Sequence, residues 1–356
     1  MRARVLAAWA VALSVVVGAC SGDDGASDDA GNDPAAADGG SADEGAADPT
    51  GADAAPDPSA GCDAGPTAQA DLEELSLDVG GVARRALVSA PAWDGDDPLP
   101  LVLDIHGLAE GADVHAEMSQ LGPLGVEEGF IAVFPHGTGE PVRWEVGPDP
   151  AASPDLAYVT ALLDEVEAER CVDRARVYAT GLSNGAMMSS TLACAMADRI
   201  AAIAPVAGVQ MPDGCDPARP VPVLTFHGTA DPILLFNGGV GAIPGMGEPA
   251  ETTETTLPPA DLEGPGYPDT VRQWAELAGC EDTFEDEEVS DTVIRRVYDC
   301  PADAPVEFVI VEGGGHSWPS SEFSRSIEQV VGTTTFDIDA SQEMWEFFQR
   351  VSLPAD

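Results

Sequence analysis

Lysine is missing altogether: all 15 basic residues are Arg, set against 63 acidic ones, for a formal net charge of −48 over 356 residues. So large a negative excess argues against nucleic acid and anionic membrane surfaces as partners, because both would repel the chain. Two ordinary readings remain, a surface kept soluble in salt or an acidic tail. A bilayer-spanning run is lacking at the N-terminus, where the uncharged stretch from Val5 to Val17 has only thirteen residues. No cysteine pair has C-x-x-C spacing and no histidine cluster stands beside the cysteines. A metal centre of that kind is therefore not expected.

The short N-terminal stretch follows Arg2 and Arg4 and ends in Gly18, Ala19 and Cys20. It reads as an export signal. Its ending resembles the bacterial lipobox, which implies lipidation of Cys20 and a membrane attachment through that lipid alone. An ordinary cleavage site nearby is the plainer alternative. Setting Cys20 aside leaves Cys62, Cys171, Cys194, Cys215, Cys280 and Cys300. An even number in an exported chain predicts disulfides, with about fifteen connectivities open to six cysteines. Short local loops favour Cys194–Cys215 and Cys280–Cys300, leaving Cys62 for Cys171.

Residues 21–67 are almost entirely Ala, Gly, Asp, Ser and Pro. They bury too little apolar area to offset ordering, so a disordered acidic tether is expected there. Residues 68–356 are expected to form one domain, with the Gly-, Pro- and Thr-rich stretch 237–268 as a lid or a tolerated insertion. Within it, apolar runs alternate with amphipathic stretches, which predicts a mostly parallel central sheet flanked by helices on both faces. Strands are expected at 99–105, 130–134, 176–180, 201–206, 222–226 and 306–311. Helices are expected at 156–169, 184–196 and 341–351.

The chemistry centres on Gly181-Leu182-Ser183-Asn184-Gly185, placed between a predicted strand and a predicted helix. A G-x-S-x-G turn in that context presents a nucleophilic hydroxyl at the end of a sheet. Ser183 needs a base, and His316, in a glycine-rich loop after the last strand, fits best among five histidines. His106 and His227 close strands as His-Gly pairs and read as structural, and His115 and His136 have less context. Asp231, after the strand 222–226, is the expected acid, with Asp155 and Asp269 as weaker candidates. The order Ser, Asp, His is that of α/β-hydrolases. Backbone N–H groups of Asn184 and Leu108 are the expected oxyanion donors. Trp318 and Trp144 are candidates to stack on substrate, or else to pack the loops that carry them.

His106-Gly107, the Gly181–Gly185 turn, Ala204–Gly208, His227–Pro232 and Gly313-Gly314-Gly315-His316-Ser317-Trp318-Pro319 occur in this order. Together they resemble the polyhydroxybutyrate depolymerase and feruloyl/acetylxylan esterase group of α/β-hydrolases. The resemblance implies ester hydrolysis through an acyl-serine, on hydroxyalkanoate oligomers or feruloyl- or acetyl-type esters. It implies the same three residues, no cofactor and no metal. A monomer with an ester substrate as its main partner is the expectation. A peptidase or thioesterase on the same scaffold, or a surface lipoprotein that binds polymer without cleaving it, are the alternatives.

Overall fold

The computed structural model describes residues 56–146, 153–241 and 257–354. Ten strands occur among them: β1 (Ala70–Val79), β2 (Val82–Ala90), β3 (Leu99–Ile105), β4 (Ile131–Pro135), β5 (Val172–Leu182), β6 (Ala202–Val206), β7 (Val223–Gly228), β8 (Phe284–Ser290), β9 (Val293–Tyr298) and β10 (Val306–Val311). They form one sheet in the order β1-β2-β4-β3-β5-β6-β7-β10-β9-β8. The middle six, from β4 to β10, are parallel. These are the six strands expected from apolar runs. Strands buried on both faces carry continuous apolar sequence, and β6, β7 and β10 are buried at every position.

Eight α-helices are described: α1 (Ala112–Ser119), α2 (Leu121–Glu128), α3 (Pro154–Glu169), α4 (Asn184–Ala195), α5 (Tyr267–Ala278), α6 (Glu322–Ser326), α7 (Glu328–Val331) and α8 (Ala340–Phe348). The period of two along each strand sorts its side chains to opposite faces. Leu101, Leu103 and Ile105 of β3 join a core with Leu162, Met188 and Trp274 of α3, α4 and α5. Val102, between them, joins Ala116, Leu121 and Phe348 of α1, α2 and α8 on the other side. Local sequence sets the helix starts. Ser153 caps α3 by accepting the Asp155 N–H ahead of Pro154, and Asp339 caps α8 by accepting the N–H groups of Ser341 and Gln342.

The three disulfides pair Cys62 with Cys171, Cys194 with Cys215 and Cys280 with Cys300. Such bonds belong to an oxidising compartment. The first of them corrects the expected tether boundary at 67. Residues 57–64 lie on the domain: the Ser59 hydroxyl donates to Arg170 O at 2.9 Å, and Asp57 pairs with Arg174. A side chain at Gly61 would run into the Arg170 carbonyl, 2.1 Å from an added Cβ. Composition could not anticipate a segment anchored by a disulfide and backbone contact instead of apolar burial. The stretch 237–268 is also narrower than expected, because α5 already begins at Tyr267 and Asn237 bonds Pro259 O and Asp261 N. Its centre, 242–256, the export signal with Cys20, and the tether up to residue 55 lie outside the described residues.

Candidate active site

Strand β5 ends at Leu182 and α4 begins at Asn184, so Ser183 alone makes the turn. Its φ of 57° and ψ of −117° lie where side-chain-bearing residues are rarely found. Holding it there costs about 1–3 kcal/mol, supplied by the strand and helix on either side. The glycines are required by close approach: a Cβ at Gly185 would sit 1.9 Å from Ile105 O, and one at Gly181 2.4 Å from the same atom. The Ser183 N–H donates to Val206 O at 3.0 Å, which ties the turn to β6. The hydroxyl thus heads α4, where the helix dipole favours negative charge.

Asp231 follows β7 and His316 follows β10, neighbouring strands of the parallel run. The His316 Nδ1–H donates to Asp231 Oδ2 at 2.7 Å, and both side chains are buried. The carboxylate is well supplied with donors. Oδ1 accepts the N–H groups of Ile233 and Leu234 at 2.8 Å each, while His227 Nε2 lies 3.3 Å from Oδ2. Burial alone would raise the Asp231 pKa, but His316 and His227 outweigh it and hold the group below the usual carboxylate range. Met187, one turn beyond Ser183 on α4, packs with Ile233, Leu234 and Val331. The His316 N–H donates to the Val331 carbonyl at 2.6 Å. One apolar cluster therefore gathers the Ser183, Asp231 and His316 segments. The structure contains no hydrogen bond between the Ser183 hydroxyl and His316 among the described residues; such contacts are often open until substrate arrives.

The loop after β3 shows which amide is free. The Gly107 N–H donates to Glu110 Oε2 at 2.7 Å and the Ala109 N–H to Val142 O at 2.8 Å. Leu108, between them and half-buried, has an N–H with no acceptor among the described residues. Behind this loop, His106 accepts the Gly137 N–H at Nε2 (2.9 Å), so its proton sits on Nδ1 and bonds Gly107 O at 2.7 Å. Burial lowers the His106 pKa to about 3, against the opposing pull of the Gly107 carbonyl and Glu110, so the ring stays neutral.

Trp144 and Trp318 are 2% and 1% exposed, so both rings pack in the core, the second of the two roles expected for them, and stacking on substrate is not supported. Trp318 Nε1 donates to Ser341 Oγ at 3.1 Å, and Trp144 Nε1 to His106 O at 2.8 Å. The weaker acid candidates are engaged elsewhere. Asp155 pairs with Arg84 at 2.7 Å and accepts the Glu145 N–H, while Asp269 bonds Arg272 and Gln273. Sequence reasoning missed His227 as a second imidazole on Asp231, and the buried group Asp104, Glu110 and His115. A signal was present: Asp104 interrupts the apolar run of β3, and a carboxylate there requires a partner.

Residues 86–257 match the family described as Esterase PHB depolymerase, a span that holds Ser183 and Asp231 and stops short of His316. The chain is 30% identical to "Feruloyl esterase B" of Piromyces equi over 66% of its own length and 42% of that protein's. It therefore spans less than half of that relative. It is 30% identical to "Putative esterase NocK" of Nocardia uniformis subsp. tsuyamanensis, covering 79% of this chain and 84% of that one. Among solved structures, an acetyl xylan esterase from Aspergillus awamori superposes with a TM-score of 0.50 and 16% identity, over 78% of this chain and 98% of that one. At that identity the likeness concerns the fold, an α/β-hydrolase. Sequence match and fold agree, and the chain belongs to the PHB depolymerase esterase family of α/β-hydrolases.

Proposed function

We propose that the protein is an exported serine hydrolase of carboxylic esters, acting through an acyl-Ser183 intermediate. The observation that carries this reading is the buried 2.7 Å contact between His316 Nδ1 and Asp231 Oδ2, on loops gathered beside a strained serine turn. With its Nδ1 proton held by Asp231, His316 presents Nε2 as the base. It takes the Ser183 proton as the oxygen attacks the ester carbonyl, and the N–H groups of Asn184 and Leu108 receive the oxyanion. Collapse expels the alcohol, which takes the proton back from His316. Water then repeats the sequence, releasing the acid and restoring Ser183.

The names of relatives, a feruloyl esterase and an acetyl xylan esterase, support esters of phenolic or acetyl groups on sugars as substrates, and the family match supports hydroxyalkanoate oligomers. Attachment to the cell envelope through lipidated Cys20 belongs to the same proposal. The test is turnover of a short-chain p-nitrophenyl ester by the full chain beside Ser183→Ala, followed by an amide and a thioester of the same acyl group. Loss of turnover by about three orders of magnitude or more is expected in the variant. Equal activity in both would remove Ser183 as the nucleophile. Preference for the amide or thioester would redirect the assignment to a peptidase or thioesterase, and inactivity of both proteins on every ester would favour a binding lipoprotein.

A further inference from the structure

Three ionisable side chains behind the Leu108 loop take no part in the acyl-transfer scheme. Asp104, in the apolar strand β3, and His115, on α1, are fully buried, with His115 Nε2 2.7 Å from Asp104 Oδ1. The other ring nitrogen faces Glu110 Oε2 at 3.4 Å, a charge contact too long and poorly aligned for a hydrogen bond. That same Glu110 oxygen accepts the Gly107 N–H at 2.7 Å. On its far side the His115 ring meets Trp318 edge to face, with centroids 5.5 Å apart. One fully buried carboxylate and a second at the edge of the core around one buried imidazole are a costly arrangement unless the imidazole carries charge.

We propose that His115 is a positioning residue of the oxyanion loop. As a buried cation anchored on Asp104, it holds the Glu110 carboxylate against the Gly107 amide and so sets the direction of the adjacent Leu108 N–H. The inference rests on the acyl-transfer reading and deepens it, by naming what supports one of its two oxyanion donors. Burial alone would lower the His115 pKa, yet Asp104 and Glu110 raise it to about 10, so the cation persists through neutral pH. Glu110 shows the reciprocal effect: burial would raise its pKa, and His115 brings it below the ordinary value. His106 lies near the same charge and is held neutral, so it does not compete for the carboxylates. Edge contact with Trp318 joins this support to the loop that carries His316.

The test compares His115→Phe, Glu110→Ala and Glu110→Gln in the full chain. Each is assayed on a p-nitrophenyl ester and titrated with n-butylboronic acid. Ser183 Oγ adds to the boron, its proton passes to His316, and the tetrahedral anion reports on the oxyanion site. His115→Phe and Glu110→Ala are expected to lower kcat about 10-fold or more with KM little changed, and to weaken the boronate in parallel. Glu110→Gln, whose amide oxygen can still accept the Gly107 N–H but offers the His115 cation no charge to hold, is expected to recover only part of the loss; full recovery would remove the role of the cation. Folded variants with unchanged kcat, a rise in KM alone, or a loss of kcat without loss of boronate affinity would each overturn the proposal. Should His115→Phe not fold, the Glu110 pair decides the matter, since that side chain is 12% exposed and tolerates change better. Labelling of Ser183 by a fluorophosphonate separates the two claims. An unlabelled wild type removes the serine reading itself, whereas normal labelling with unchanged variants removes only the role of His115.

Discussion

Trp144 and Asn184 hold each other by two hydrogen bonds. The Trp144 N–H donates to Asn184 Oδ1 at 2.7 Å, and Asn184 Nδ2 donates to Trp144 O at 3.2 Å. The residue that follows the nucleophile is thereby clamped to a distant loop. That loop is pinned in turn through Glu145 N to Asp155 and its partner Arg84.

Asn184→Ala removes the clamp and leaves the backbone N–H in place. The two lost hydrogen bonds are expected to cost about 1–3 kcal/mol of stability. A loss of kcat of about 10-fold is expected as well, because a misaligned donor stabilises the oxyanion less. Thermal unfolding beside steady-state kinetics checks this. A stability loss with full kcat would reduce the clamp to a purely structural role.

His227 shares Asp231 Oδ2 with His316, and its Nε2 also lies 2.9 Å from Leu234 O. His227→Phe deletes the polar neighbour of that oxygen and leaves the carboxylate that orients His316 less firmly held. A loss of kcat of about 10-fold at neutral pH is expected. His227→Gln, which can still donate, is expected to restore most of the wild-type rate. Equal kcat in all three proteins would remove His227 from the site.

Cys62–Cys171 closes 109 residues, whereas Cys194–Cys215 and Cys280–Cys300 close 21 and 20. Restriction of the unfolded chain then gives about 5 kcal/mol for the first and about 3 kcal/mol for each of the others. Urea unfolding of the three paired Cys→Ser variants is expected to rank them in that order. The first variant is expected in addition to release residues 57–64 to proteolysis. Resistance of that segment in the Cys62/Cys171 variant would contradict its dependence on the disulfide.

The raised pKa of His115 has a definite sign for stability. A group bound more tightly to its proton when folded stabilises the fold fully below its unfolded pKa, about 6.5. That contribution falls as pH rises and is gone above the folded value of about 10. The stability difference between wild type and His115→Phe is expected to shrink steadily between those limits. A constant difference across that range would show that the imidazole is not charged in the native core.

Much of the fold was legible because of where its strands lie. The parallel strands β3 to β7 and β10 are buried on both faces, so their apolar runs stand out at the sequence level. The antiparallel outer strands were not. β8, Phe284–Ser290, is exposed along nearly its whole length and rich in Glu and Asp, which protects a sheet edge but imitates a loop. Among the helices, α1, α2, α5, α6 and α7 were missed: α1 and α2 have only eight residues each, α2 contains two glycines and a proline, α6 and α7 are shorter still, and α5 starts directly behind the Gly- and Pro-rich stretch that obscures it.

By itself the sequence determined the elements that depend on neighbours along the chain. The turn around Ser183 needs small residues two positions away on either side, and those glycines are written beside it. The chain order of Ser183, Asp231 and His316 follows from which strand each residue ends. Tertiary structure alone decided everything that depends on residues far apart in sequence. It shut Trp144 and Trp318 into the core, laid 57–64 on the domain, and placed His227 on the carboxylate of Asp231. It also brought Asp104, Glu110 and His115 into one buried charged group. The physical reason is that a side chain's burial and charge partners are set by the strands and helices packed around it, and periodicity along the chain carries no record of them.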